Sequence, residues 1–129
     1  MMLVETRVGP SAIHGMGLFA KNFLPQGTPI WRFEPGFDQV FSAQAIAMLP
    51  PVAQDHARHF CFIGKTDGQS ILSGDHACFI NHSDAPNTGA PAAATNPVTT
   101  VALRDIAAGE EITCDYFSFD ADASRKIAV

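Results

Sequence analysis

Cys78-Phe79-Ile80-Asn81-His82-Ser83-Asp84-Ala85-Pro86-Asn87 carries two large apolar residues straight into a dense polar run. Such a cluster is costly to bury unless each polar group finds a hydrogen bond, so taken alone it reads as an Asx-type turn with a capping serine. A second dense stretch follows at Gly109-Glu110-Glu111-Ile112-Thr113-Cys114-Asp115-Tyr116-Phe117, which holds the only tyrosine of the chain. By itself, a tyrosine in a strand is usually core. Upstream, Ile13-His14-Gly15-Met16-Gly17-Leu18-Phe19-Ala20 sets a Gly-x-Gly directly before an apolar strand. Without side chains at 15 and 17, main-chain groups can meet a ligand closely, yet a lone Gly-x-Gly is usually just a turn. It also lacks the third glycine and the βαβ setting of a dinucleotide site.

In this order and near these separations, the three stretches together resemble the SET-domain protein-lysine methyltransferases in their minimal form, as in small viral and bacterial SET proteins. The resemblance rests on Gly-x-Gly followed by Leu-Phe-Ala, Phe-x-Asn-His-Ser-x-x-Pro-Asn and Gly-Glu-Glu-Ile-Thr-x-Asp-Tyr, and it spans residues 8–117. It implies a mostly β fold of several small antiparallel sheets, in which the Asn-His-Ser segment and the Asp-Tyr segment form a knot-like crossing. It also implies one or two short helices in a variable insert, here about residues 34–68, that helps shape the substrate groove. Residues 118–129 would form a short C-terminal flank.

The same resemblance implies an activity, transfer of a methyl group from S-adenosylmethionine to lysine side chains of a protein, leaving S-adenosylhomocysteine. Carried over by position, Gly15, Met16 and Gly17 would meet the methionine part of the cofactor with backbone groups. Asn81 and His82 would hold its amine and adenine, and Tyr116 would be the catalytic tyrosine. Glu111 matches an acidic position supporting the active-site strand, whereas Asp115 would orient backbone. Phe79, Phe117 and Phe119 are candidates to wall a lysine channel against water, with core packing the plainer role for each. The match departs from the family at Cys78, where arginine is common, and at Cys114, where Phe or Tyr often limits room around the amine. A smaller residue at 114 leaves space for a lysine already methylated. The cysteine-rich zinc tail of several relatives has no counterpart after Cys114, so closure falls to the tail with Phe117 and Phe119, to a partner, or to a second copy.

Composition agrees with one globular, loop-rich domain over residues 1–129: apolar residues make up 47% and charged residues 16%, with ten Phe, nine Pro and ten Gly. Three cysteines, Cys61, Cys78 and Cys114, give no CxxC pair, so neither a disulfide framework nor a four-cysteine zinc site is indicated. His56, His59 and Cys61 can share a helix face, but no fourth ligand stands at an obvious spacing, and surface histidines flanking a phenylalanine are the simpler reading; no metal is expected. Thirteen acidic against eight scattered basic residues give a net charge of −5, which disfavours nucleic acid; it suits a basic protein or peptide carrying the target lysine, though the same charge is ordinary for any protein kept in solution. No stretch approaches the roughly 20 apolar residues of a membrane span and no targeting signal is seen, so a cytoplasmic, reducing location is expected. Pairing of such a small domain into a homodimer is compatible with all of this.

The chain also contains a weak echo: Ala20, Leu24, Gly27 and Ile30 recur in spacing as Ala102, Ile106, Gly109 and Ile112. Each copy reads as strand, turn, strand, with the glycine at positive φ. Between the copies, residues 42–49 predict a short helix ended by Pro50-Pro51, residues 52–59 a second helical turn, and residues 70–72 a strand. Residues 84–97, almost without large apolar side chains, predict an irregular surface loop, and the polar tail after Phe119 either frays or forms a short helix.

Overall fold

The computed structural model describes residues 1–93 and 99–127. The strands are β1 (Thr6–Pro10), β2 (Met16–Ala20), β3 (Pro29–Arg32) and β4 (Gln39–Phe41), followed by helices α1 (Ala43–Ala47) and α2 (Pro51–Phe60). After these come β5 (Phe62–Ile63), β6 (Ser70–Leu72), β7 (Asn81–His82), β8 (Thr88–Gly89), β9 (Thr99–Ala102), β10 (Thr113–Cys114) and α3 (Ala123–Ile127). They form four small sheets: β1-β2, β3-β9-β8 and β4-β6-β5, all antiparallel, and a parallel pair of β7 with β10. The mostly β, many-sheeted architecture matches the expectation, and the parallel pair is the crossing of the two motif segments.

The two echoed copies do not form hairpins of their own, as the spacing suggested. They pair with each other about a local two-fold. The Leu24 N–H donates to the Ile106 carbonyl and the Ile106 N–H to the Leu24 carbonyl, both at 2.8 Å. The Gly27 N–H donates to Ala102 O at 2.8 Å, and its counterpart Gly109 N–H donates to Ala20 O at 2.7 Å. Both glycines adopt positive φ, 87° and 84°, the left-handed turn that a Cβ would disfavour. Burial explains the choice, because pairing across copies brings Ala20, Leu24, Ile30, Ala102, Ile106 and Ile112 into one core, packed by Met2, Val4, Trp31 and Ile80. A self-paired hairpin would leave one apolar face of each copy in water.

Residues 87–89 correct the surface-loop expectation. Asn87 is 1% and Thr88 3% exposed, because both are satisfied by the segment leading into β10. The Asn87 amide nitrogen donates to Glu111 O at 2.8 Å, and its Oδ1 accepts the Thr113 N–H at 2.8 Å. The Thr88 hydroxyl donates to Thr113 O at 2.6 Å. A buried amide with all its bonds made is stable where a bare one is not. Residues 94–97 of that expected loop lie outside the described residues.

The helices follow their sequence signals. The Ser42 hydroxyl accepts the Ala45 N–H and caps α1, and Pro51 occupies the first turn of α2, where its missing N–H costs nothing. The Gln54 amide spans the two helices by donating to Ala47 O and Leu49 O. Both helices pack beside the β4-β6-β5 sheet, and the tail returns as α3 against α2. No helix among the described residues is long and apolar enough to cross a membrane.

Candidate active site

The site starts from the loop between β1 and β2. The Ser11 hydroxyl accepts the N–H groups of Ile13 and His14 at 2.9 and 3.3 Å, and the Ser11 N–H donates to Gly15 O at 2.8 Å. These bonds curl the loop so that Gly15, with φ +48°, faces open space. Gly17 has a different reason to be glycine: a Cβ there would stand 2.5 Å from Glu111 Oε2. Met16 remains 45% exposed.

Asn81, at the start of β7, clamps this loop from behind. Its amide nitrogen donates to His14 O and Met16 O, both at 3.1 Å, and to Glu111 Oε2 at 2.9 Å. The Glu111 carboxylate also accepts the Ser11 hydroxyl at 2.8 and 2.9 Å. Ser11 is thus part of the site although no sequence motif marked it. Asn81 Oδ1 accepts no hydrogen bond among the described residues, which leaves an acceptor beside an exposed glycine loop.

The parallel pairing of Thr113 with Asn81 and of Cys114 with His82 carries Tyr116 to the same place. The His82 ring is spent on structure. Its Nδ1 accepts the Tyr116 N–H at 3.1 Å, and its Nε2 lies 2.9 Å from Asp84 Oδ1. Asp115 caps the 3-10 turn over Tyr116–Ser118 by accepting the Phe117 N–H. The tyrosine therefore sits at the head of a turn rather than inside a strand.

The Tyr116 hydroxyl donates to Ile80 O at 2.5 Å. Burial, then the charges of Cys114, Asp120 and Cys78, push its pKa well above the usual phenol value, so it stays neutral across the physiological range. Burial likewise pushes the Cys114 thiol up to about 12, with Asp115 and Asp120 adding to it. Phe119 packs edge-on at 6.1 Å from the Tyr116 ring and 5.1 Å from Phe62, while Phe117 meets His82 edge-on at 5.4 Å and is 44% exposed. Phe79 faces Phe60 at 5.8 Å, on the α2 side. Cys78, beside Phe79, bounds an open apolar hollow with His56, Phe60, Leu72 and Ser73.

His56 and His59 flank Phe60 with ring separations of 4.8 and 5.5 Å. Among the described residues no three His, Cys, Asp or Glu side chains are grouped to hold a metal ion.

The SET domain family model matches residues 15–117. The histone-lysine N-methyltransferase ATX2 of Arabidopsis thaliana is 30% identical over 129 residues, which cover 88% of this chain and 11% of that protein. The histone-lysine N-methyltransferase 2B of Homo sapiens is 28% identical over 130 residues, covering 91% of this chain and 4% of its own length. The chain thus spans a small part of the curated relatives it matches. Among solved structures, the Polycomb Repressive Complex 2 of Chaetomium thermophilum bound to S-adenosylmethionine shares the fold at a TM-score of 0.68 and 20% identity, over 97% of this chain and 16% of that one.

Proposed function

This chain belongs to the SET-domain family, and from that footing we propose that it is a protein-lysine N-methyltransferase, with residues 1–129 acting as one domain. The observation that carries the reading is the Asn81 clamp. One side chain ties the Gly15-Met16-Gly17 segment, exposed at 15 and 16 and buried at 17, to Glu111 and to the strand pair that presents Tyr116.

The residues present fit S-adenosylmethionine, whose sulfonium supplies an electrophilic methyl group when bound. Asn81 Oδ1 and the open backbone at Gly15 and Met16 suit the ammonium and carboxylate of an amino acid, and the His82 segment borders them. The acceptor lysine must lose a proton, which from a free pKa of about 10.4 costs about 4 to 5 kcal/mol at pH 7. A buried, apolar channel lowers that cost. A neutral Tyr116 is no base, but with its proton held by Ile80 O its oxygen is free to accept an amine N–H and orient the lone pair. Orientation of this kind supplies about 7 to 11 kcal/mol in favourable cases. Phe119 and Phe62 exclude water from that side.

A basic protein or peptide is the expected partner class. Most cations of the chain are already paired: Arg32 with Glu34, Arg58 with Asp55, Arg104 with Glu110, Arg125 with Asp122 and Lys126 with Asp120. That leaves a net acidic surface poor in sites for nucleic acid, suited to a cytoplasmic enzyme of protein substrates.

Calorimetric titration with S-adenosylmethionine, followed by mass spectrometry of basic proteins incubated with both, tests the reading. Wild type binds and methylates lysine; Tyr116→Phe keeps binding and loses turnover by about 100-fold. Binding by wild type without methylation of any lysine supports the second reading, a SET fold kept as a cofactor- or peptide-binding module, which the cysteines at 78 and 114 favour.

A further inference from the structure

Asp120 is buried, its side chain 1% exposed, and its two oxygens are divided between different partners. Oδ1 accepts the N–H groups of Ile63 and Asp122, both at 3.0 Å. Oδ2 accepts, among the described residues, only the Lys126 ammonium, at 2.6 Å. The same ammonium donates to Cys61 O, the carbonyl just past α2, at 2.6 Å and lies 5.9 Å from the centroid of the Tyr116 ring. Carboxylate, carbonyl and aromatic face together make a three-sided receptor for an alkylammonium. Its carboxylate is held in place by backbone from two segments, so the receptor does not depend on the ligand for its shape.

The present occupant is lightly anchored. α3 is five residues long, too short to be stable alone, and Ala123 is its only buried residue. Apart from Lys126, a bond from Arg125 to Arg58 O ties the helix to α2. Replacing one primary ammonium by another keeps Asp120 paired, so the exchange avoids the penalty of a bare buried carboxylate.

We propose, resting on the methyl-transfer reading of Tyr116, that Asp120, Cys61 O and the Tyr116 ring form the subsite that recognises the ammonium of the substrate lysine, with Lys126 as its tethered stand-in. The incoming side chain displaces Lys126, enters beside Tyr116, gives up its proton to solvent water and moves on to the hydroxyl as the neutral amine, while Lys126 returns to Asp120. A tethered competitor acts at an effective concentration of millimolar order. A substrate therefore needs further contacts along the groove to win, which makes Lys126 a filter against free lysine and weakly bound peptides.

The experiment uses the full chain. Lys126→Met keeps the aliphatic stem and removes the competitor, so the KM for a lysine peptide is expected to fall about tenfold with affinity for S-adenosylmethionine unchanged. In Lys126→Ala, n-butylammonium chloride should raise Tm, with sodium chloride at equal ionic strength as control; wild type and Asp120→Asn/Lys126→Ala should not respond. A KM that stays or rises in Lys126→Met with cofactor affinity intact overturns the proposal and makes Lys126 a fixed wall. So does a folded Lys126→Ala indifferent to butylammonium. If wild type methylates no lysine, it is the methyl-transfer reading that fails, and the butylammonium titration still decides whether the receptor exists.

Discussion

The amide nitrogen of Asn81 lies 2.9 Å from Glu111 Oε2, and that bond joins the two motif segments on which the site is built. Removing the amide strands the carboxylate between Ser11 and the loop and frees His14 O and Met16 O. Asn81→Ala is therefore expected to cost about 1–3 kcal/mol of stability and to weaken S-adenosylmethionine at least about tenfold. Thermal unfolding and calorimetric titration read the two effects. Undiminished cofactor affinity would remove Asn81 from the binding site.

Gly15 and Gly17 should respond differently to alanine. At Gly17 the new Cβ meets a carboxylate already held by Ser11 and Asn81, so Glu111 must give up bonds, at about 1–3 kcal/mol. At Gly15 the space is open and only the positive φ is strained, at roughly 1 kcal/mol. Pairing Gly17→Ala with Glu111→Ala should cost less than the sum of the two, since the collision disappears. Additive losses in denaturant unfolding would refute that cause.

How much of the fold is legible in the sequence depends on how far each signal travels along the chain. Ser42, Gly27 and Gly109 act on their own turns, and each is where it was expected, whereas Pro51, read as part of the stop to the first helix, opens the second. The family motifs were legible as text, but the role of Asn81 was not, because its acceptors His14 O and Met16 O stand 67 and 65 positions away. Asn87 and Thr88 looked like surface loop for the same reason: their burial is offset by Thr113, 26 and 25 positions later. Ser11 and Asp120 carried no local pattern at all. Side chains that satisfy distant backbone become visible only once the chain is closed.

Cys114 is near enough to Tyr116 to act on its hydroxyl electrostatically, and, if Tyr116 orients an acceptor amine as proposed, a bulkier residue at 114 would crowd it. Cys114→Tyr is expected to shift product on a good peptide towards monomethyl-lysine, and wild type to carry the same peptide on to higher methylation. Intact-mass analysis over a time course decides it. Monomethyl product alone from wild type would show that room at 114 does not govern the outcome.

Asp38 supplies a pH signature away from the site. Burial alone would raise its pKa, but hydrogen bonds from the Met1 ammonium, the Gly74 N–H and the Glu34 N–H outweigh that and hold the carboxyl below its ordinary 3.8. Its contribution is complete above that ordinary value and is lost as pH falls through the lower folded value. Asp38→Asn should be less stable at pH 7 by about 1–3 kcal/mol and show a shallower fall in Tm between pH 4 and pH 2. Parallel Tm curves for the two proteins would exclude Asp38 as the source.

The mutual pairing of Leu24 with Ile106 has a consequence for how the chain is made. Neither half of the core can settle while the other is missing, and the segment that completes it also brings Glu111 to the glycine loop and Tyr116 to Asn81. Contacts this far apart in sequence form late and slowly, after a large loop has closed. During synthesis the β1-β2 pair and the β4-β6-β5 sheet can form from the first hundred residues, but the shared core waits for Ala102, Ile106 and Ile112. On the proposed reading, completion of the core and assembly of the cofactor site are then one event.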